Sequence, residues 1–424
     1  MGWFSARAAL AACGLYLLSA VSLQAATPAV DLTLADALRQ ALAKRPELAA
    51  FAFETRARGA RVASASLRPA PQVELLVEDA PGTGTRSGFD AAQTSLLLSQ
   101  VIELGGKLDA RVASARASET ALANERAMAQ LDVIAEVGRR FIEVLRGQAR
   151  HDLAQEAVQI AERTVGSVEQ RVNAAKAPEA EAARAHVALL DAKLALEDTE
   201  HELEIARRYL AASMGERDAV FGQATGDLSL QQPVADLDSL LARLEQSPDL
   251  LRFADESRLR ESELRLAELQ RRSDVRATLG VRRFEQGNDF ALVAGVTVPL
   301  FAARRAQPQI EAARARAEKM PVERQTAFLH LQAELYSLYL QLGHERELSA
   351  TLRQQLMPRL QQALDLTAYA YDRGRYSFLE WSTAQRDVLE GRRRLIESNA
   401  NFHLLRIEIE RLTASSVDAS GVTP

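Results

Sequence analysis

From Leu108 to the residue before Pro178 the chain carries an alanine-rich run with no proline at all. Helices of globular domains typically span about 10–14 residues, so a helix of this length can only be housed in something elongated. The stretch that feeds it, Thr94 to Lys107, reads TSLLLSQVIELGGK. Leu96 and Leu98 alternate there with Ser95, Leu97 and Ser99, the period of a strand, before Gly105 and Gly106 supply a turn. A short strand opening into a very long helix is the constraint every fold for this chain must meet.

Composition agrees with that constraint. Of the 424 residues 47% are hydrophobic but only 5% aromatic, so the apolar content is alanine and leucine, which favours long helices with narrow seams. A net charge of -5 with interleaved signs offers no basic patch for nucleic acid. At the N-terminus Arg7, an apolar run to Leu18 and small residues around Ala25 read as a secretory signal peptide over 1–25. Cys13, the only cysteine, follows Leu10, Ala11 and Ala12 as a lipoprotein box requires. The apolar run before it is too short for the core of such a signal, and cleavage after Ala25 leaves no thiol for a disulfide or metal site. No later run of about 18 apolar residues is present, so no membrane-spanning helix is expected.

The mature chain repeats itself at an offset of about 200 residues. DALRQALAKRPEL from Asp36 lines up with DSLLARLEQSPDL from Asp238, Ala115-Arg116-Ala117 with Ala313-Arg314-Ala315, and Lys176–Ala185 with Arg375–Ala384. The division is a first repeat over 26–213, a linker over 214–235, a second repeat over 236–413 and a disordered tail over 414–424. Each copy reads as helix, strand pair, long helix, second helix. Strands are expected near 73–78 and 94–101, then near 275–282 and 290–298, where alternation gives one face for lipid or a core and one for water. The helix from Leu108 to about Asn173 would be roughly 100 Å long, matched by the shorter helices from Pro46 and from Glu179 to Ser213 laid end to end. In the second half the long member is Gln309 to Arg373, with Pro321 and Pro358 expected to bend or interrupt it. Stripes such as Ile134, Val137, Phe141 and Val144, or Phe402, Leu405, Ile409 and Leu412, are coiled-coil seams.

These residues together resemble the TolC-like outer membrane efflux channel family, over essentially the whole mature chain including its duplication. VEDAPGTGTRSGFDAAQTSLLLSQVIELGGK looks like the corresponding stretch of the CzcC-like heavy-metal branch. The resemblance implies a homotrimeric α-helical barrel joined to a membrane β-barrel of twelve strands, four per chain. It implies a place in the outer membrane and periplasm, working with a periplasmic adaptor (membrane fusion protein) and an inner-membrane RND pump. Independently, four strands cannot close in lipid without unpaired edges, so subunits must share one barrel.

The same resemblance places a periplasmic gate near the helix-hairpin turns. Tyr371 matches a family tyrosine of the lock, Glu380 an acidic constriction position and Glu181 its first-half equivalent. Arg375 is adjacent to the position, here Tyr376, where some members carry the lock arginine. Ala175 replaces the usual glycine, and Thr383 stands at a second acidic position. Glu380 has two readings, a ring of three carboxylates attracting cations or a helix-start carboxylate favoured by the helix dipole. Tyr371 is a lock residue or ordinary packing at a helix end. Gly105, Gly106 and Lys107 form the barrel-to-helix turn, with a lipid headgroup contact as the alternative for the lysine. Arg276 and Arg282 face the barrel lumen, or else lie at periplasmic or headgroup level.

The six histidines form no HxxxH pair, so neither a dedicated metal site nor a cofactor is expected, and no nucleophile elbow or phosphate loop marks an enzyme. The leading expectation is a passive export conduit for divalent heavy-metal cations. The same channel serving drugs or secreted polypeptides is a neighbouring reading, and a periplasmic coiled-coil scaffold is one of another class.

Overall fold

The structure, a computed structural model, describes residues 30–233 and 235–414. The signal peptide with Cys13 and all of the tail but Ala414 lie outside the described residues. Two short helices, α1 (Leu34–Lys44) and α2 (Pro46–Ala65), lead into strands β1 (Gln72–Glu78) and β2 (Gln93–Ile102). The long helix α3 (Lys107–Asn173) follows, then α4 (Glu179–Ser213). The second copy runs α5 (Leu237–Glu245), α6 (Pro248–Leu269), β3 (Val275–Phe284) and β4 (Asp289–Thr297). It closes with α7 (Ala302–Thr351), α8 (Met357–Asp372) and α9 (Phe378–Leu412).

The second long helix departs from expectation in one respect. α7 passes unbroken through Pro308 and Pro321, and the irregularity comes later, as a π segment over Leu352–Leu356 just before Pro358. A proline deletes one backbone donor, which a helix of this length absorbs. The extra residue of a π turn lets the ring of Pro358 fall at the opening of a new helix, where no N–H is required.

The strands form one antiparallel meander in the order β1-β2-β3-β4. Its central pairing joins the two copies, with Ile102 opposite Val275 and Gln93 opposite Phe284. Both ends of the sheet, β1 and β4, have open edges. One face is apolar and exposed along its whole height, through Val73 and Leu75, Leu96 and Leu98, Leu279 and Val281, and Leu292 and Val296. The opposite face carries the polar side chains, with Leu76, Leu97 and Val293 set among them. Arg282 donates to Ser95 Oγ at 2.9 Å, Gln93 Oε1 at 3.0 Å and Glu78 Oε2 at 2.9 Å, and Arg276 donates to Gln72 Oε1 at 2.6 Å. An apolar outside and a hydrogen-bonded polar inside is the inverse of a soluble sheet.

Among the helices α3 is the spine, packing against α2 and α4 along its length and against α6 and α9 from the other copy. The main core lies midway along it, where Val137, Phe141 and Val144 are fully buried against α1 and α4. A second cluster joins Leu240, Leu244 and Leu335 to Phe402 and Ile409. The segment between the copies does more than link them. Gly222, Gln223 and Thr225 exchange backbone hydrogen bonds with Val30 and Leu32, and Phe221 and Ala224 are buried in the first copy's core. Gln148 clamps Ala224 by both its amide atoms, at 3.0 and 3.1 Å. Among the described residues no helix is long and apolar enough to cross a membrane.

Candidate functional site at the helical tip

The end of the molecule remote from the sheet is made by two helix hairpins, α3–α4 and α8–α9. Both turn by the same device. Each long helix ends, one residue takes the left-handed conformation, and a short extended piece caps the next helix. The left-handed residue is Gly374 (φ 71) in the second hairpin and Ala175 (φ 54) in the first. Glycine carries no penalty there, whereas alanine crowds its Cβ against the backbone.

The capping residues then make the two hairpins chemically different. In the second, Ser377 precedes α9 and Glu380 folds back to accept its backbone N–H at 2.6 Å and its hydroxyl at 2.9 Å, a capping box. These donors hold the Glu380 carboxyl below the usual carboxylate range. In the first, the corresponding cap is Pro178, which has no N–H to offer. Glu181, third in α4 as Glu380 is third in α9, is therefore released, and it accepts a hydrogen bond from the Tyr371 hydroxyl at 3.3 Å.

Tyr371 sits at the centre of the site. It is only 1% exposed, wedged between Val165 and Val168 of α3, Ala185 of α4 and Phe378 of α9. Trp381 stacks on its ring at 4.8 Å between centroids, and Phe378 meets Trp381 edge-on. On the other side the Arg171 guanidinium lies 4.4 Å from the tyrosine ring centroid and donates to the carbonyls of Tyr371 (2.9 Å) and Asp372 (3.2 Å). Burial, aided by the Glu181 carboxylate, pushes the phenol up to about 12, so it remains a donor at any physiological pH. The result is one compact tie between the hairpins of the two copies.

Of the residues expected at this site, the structure brings Tyr371 and Glu181 together. It sets Glu380 apart on the exposed start of its own helix. Arg375 is exposed and makes no side-chain hydrogen bond or ion pair among the described residues. The arginine that does engage the tyrosine is Arg171. Sequence reading missed it because it lies on the other copy's helix, and only a charged residue beside the seam residues Val168 and Val172 hinted at it.

At the other end, Gly105 (φ 85) and Gly106 (φ 80) make the strand-to-helix turn. A side chain on Gly105 would run into Arg272 at 2.3 Å. Lys107 is buried and points inward, donating to the Arg272 carbonyl and to Asp274, each at 2.7 Å. It locks the junction of the two copies and does not reach outward. Among the described residues no group of three or more His, Cys, Asp or Glu is placed to hold a metal ion.

Residues 37–216 match the family model described as outer membrane efflux protein. The chain is 28% identical to the cobalt-zinc-cadmium resistance protein CzcC of Cupriavidus metallidurans over 90% of both chains. Residues 37–216 thus carry the pattern of the outer membrane efflux protein family. A second relative, the nickel and cobalt resistance protein CnrC of the same organism, is 25% identical over 68% of this chain and 70% of its own. Solved structures extend the likeness in fold. CusC superposes with a TM-score of 0.73 at 16% identity, covering 91% of this chain and 93% of that one. The Campylobacter jejuni CmeC outer membrane channel superposes with a TM-score of 0.72 at 14% identity, covering 99% and 96%. The matched stretch and the shared fold are those of outer membrane efflux channels.

Proposed function

We propose that this protein is the passive exit duct of a tripartite exporter of divalent heavy-metal cations. Three copies share one barrel and work with a periplasmic adaptor and an inner-membrane RND pump. The observation that carries the conduit is the sheet, apolar outside, polar inside and open at both edges. In lipid an open edge leaves backbone groups unsatisfied, at several kcal/mol each, so further copies must supply the missing strands. Arg276 and Arg282 then line the lumen. The metal cargo rests on the resistance proteins to which the chain is similar.

In this reading the Tyr371–Glu181–Arg171 tie holds the tip closed, and the free faces of the three Glu380 carboxylates gather cations before it. A deletion strain tests the assignment. Sensitivity to cobalt, zinc or cadmium with unchanged sensitivity to hydrophobic drugs is expected, and the opposite pattern would transfer the channel to a drug exporter.

A further inference from the structure

The junction between sheet and helices holds arginines that export through the lumen leaves unused. Arg68 lies just before β1, Arg271 and Arg272 just before β3, and Arg304 and Arg305 in the first turn of α7 beyond β4. All five are exposed, and among the described residues their side chains make no ion pair or hydrogen bond. Of the carboxylates at this level, Glu103 is engaged by Arg111 and Asp274 by Lys107, which leaves Asp109 along the same groove as Arg68. The external end of the same sheet is built the other way. There Arg86, Arg282 and Arg283 each have a carboxylate partner, in Asp79, Glu78 and Glu285. Of the two ends of the sheet, only the one that meets the helices therefore carries unpaired arginines among the described residues. Exposed Leu300 and Phe301 stand at that level too, directly after β4.

Topology gathers part of this charge at one place. The antiparallel order sets the start of β1 level with the end of β4, and these are the two open edges. When β1 of one copy pairs with β4 of the next, Arg68 arrives beside the neighbouring copy's first turn of α7, which carries Arg304 and Arg305. Three cations crowded at a seam repel unless an anion lies between them. Guanidinium forks suit phosphate oxygens, and the adjoining apolar residues suit acyl chains.

We infer that each seam binds an anionic phospholipid of the periplasmic leaflet, its phosphate among Arg68, Arg304 and Arg305 and its chains along Leu300 and Phe301. The lipid cements the trimer at its weakest line. The inference rests on the shared-barrel reading above.

The test follows dissociation of the full-length trimer on heating, in vesicles of phosphatidylcholine alone or with equal parts phosphatidylglycerol. The dissociation midpoint is expected to rise with phosphatidylglycerol. At about fivefold per arginine, the R68Q/R304Q/R305Q variant should need roughly a hundredfold more of that lipid for the same rise. Inorganic phosphate added to phosphatidylcholine vesicles should leave the midpoint unmoved. A native trimer indifferent to lipid charge, a variant with the full lipid response, or a rise produced by phosphate alone would each overturn the site. If the triple variant does not assemble, Arg68→Gln, outside every helix and strand, gives the same comparison with about a fivefold loss. A native protein that is monomeric in both lipids would instead overturn the shared barrel, and the seam with it.

Discussion

A single hydroxyl distinguishes a packed tip from a latched one. Tyr371 would fill its pocket equally well as phenylalanine, since Val165, Val168, Phe378 and Trp381 touch the ring. Only the bond to Glu181 would be lost. Tyr371→Phe is expected to fold normally and to shift the tip toward open by about 1 kcal/mol per protomer, roughly fivefold. Single-channel conductance in planar bilayers reads this directly, and an unchanged open fraction would reduce the tyrosine to packing. The turn residue beside it makes a separate point. Gly374 has open space around its missing side chain, the nearest atom being Arg171 Nη2 at 4.0 Å, but its φ of 71 is left-handed. Gly374→Ala should therefore cost about 1 kcal/mol from backbone strain alone, seen as a lower urea midpoint. Ala175 shows that the hairpin tolerates such strain once.

At the scale of elements, α9 carries a buried polar stripe that its seam pattern conceals. Phe402 and Ile409 were legible as a stripe because hydrophobic residues recur at helical spacing. His403 was not, although it is equally buried. Its Nε2 meets the Leu228 carbonyl at 3.1 Å, supplied by the segment between the copies, while Nδ1 is buried without a partner. Desolvation, with Arg406 nearby, lowers its pKa to about 4. The folded protein thus refuses a proton that the unfolded chain accepts near 6.5. Stability is full above that value and is lost as pH falls from 6.5 toward 4, by about 3 kcal/mol if the whole shift is realised. Denaturation midpoints at neutral and acidic pH should show the loss, and His403→Gln should flatten that part of the profile. The strands were easier to read. Alternation needs only neighbours in sequence, and the observed bounds lie within two residues of the expected ones.

For the whole molecule, the sheet's two faces make opposite demands. Leu292 is 82% exposed on the apolar face, and Ala291 beside it lies on the face of Arg282. In a membrane barrel, Leu292→Arg should cost about 2–4 kcal/mol near the bilayer midplane, while Ala291→Arg is tolerated. Urea titration of protein refolded into vesicles, with the yield of heat-modifiable trimer, separates the two. Equal tolerance of both would mean that Leu292 does not face lipid. Local periodicity and the duplication sufficed to establish from the sequence two copies, paired strands, helices of matched length and two hairpin tips, because each of those is written in residues close together along the chain. Three things waited for the tertiary structure: that Arg171 rather than Arg375 holds Tyr371, that Lys107 turns inward, and that the connecting segment supplies a carbonyl to His403. Each depends on which residues meet across 165 to 200 positions of chain. That meeting is settled by packing and register, which no local pattern encodes.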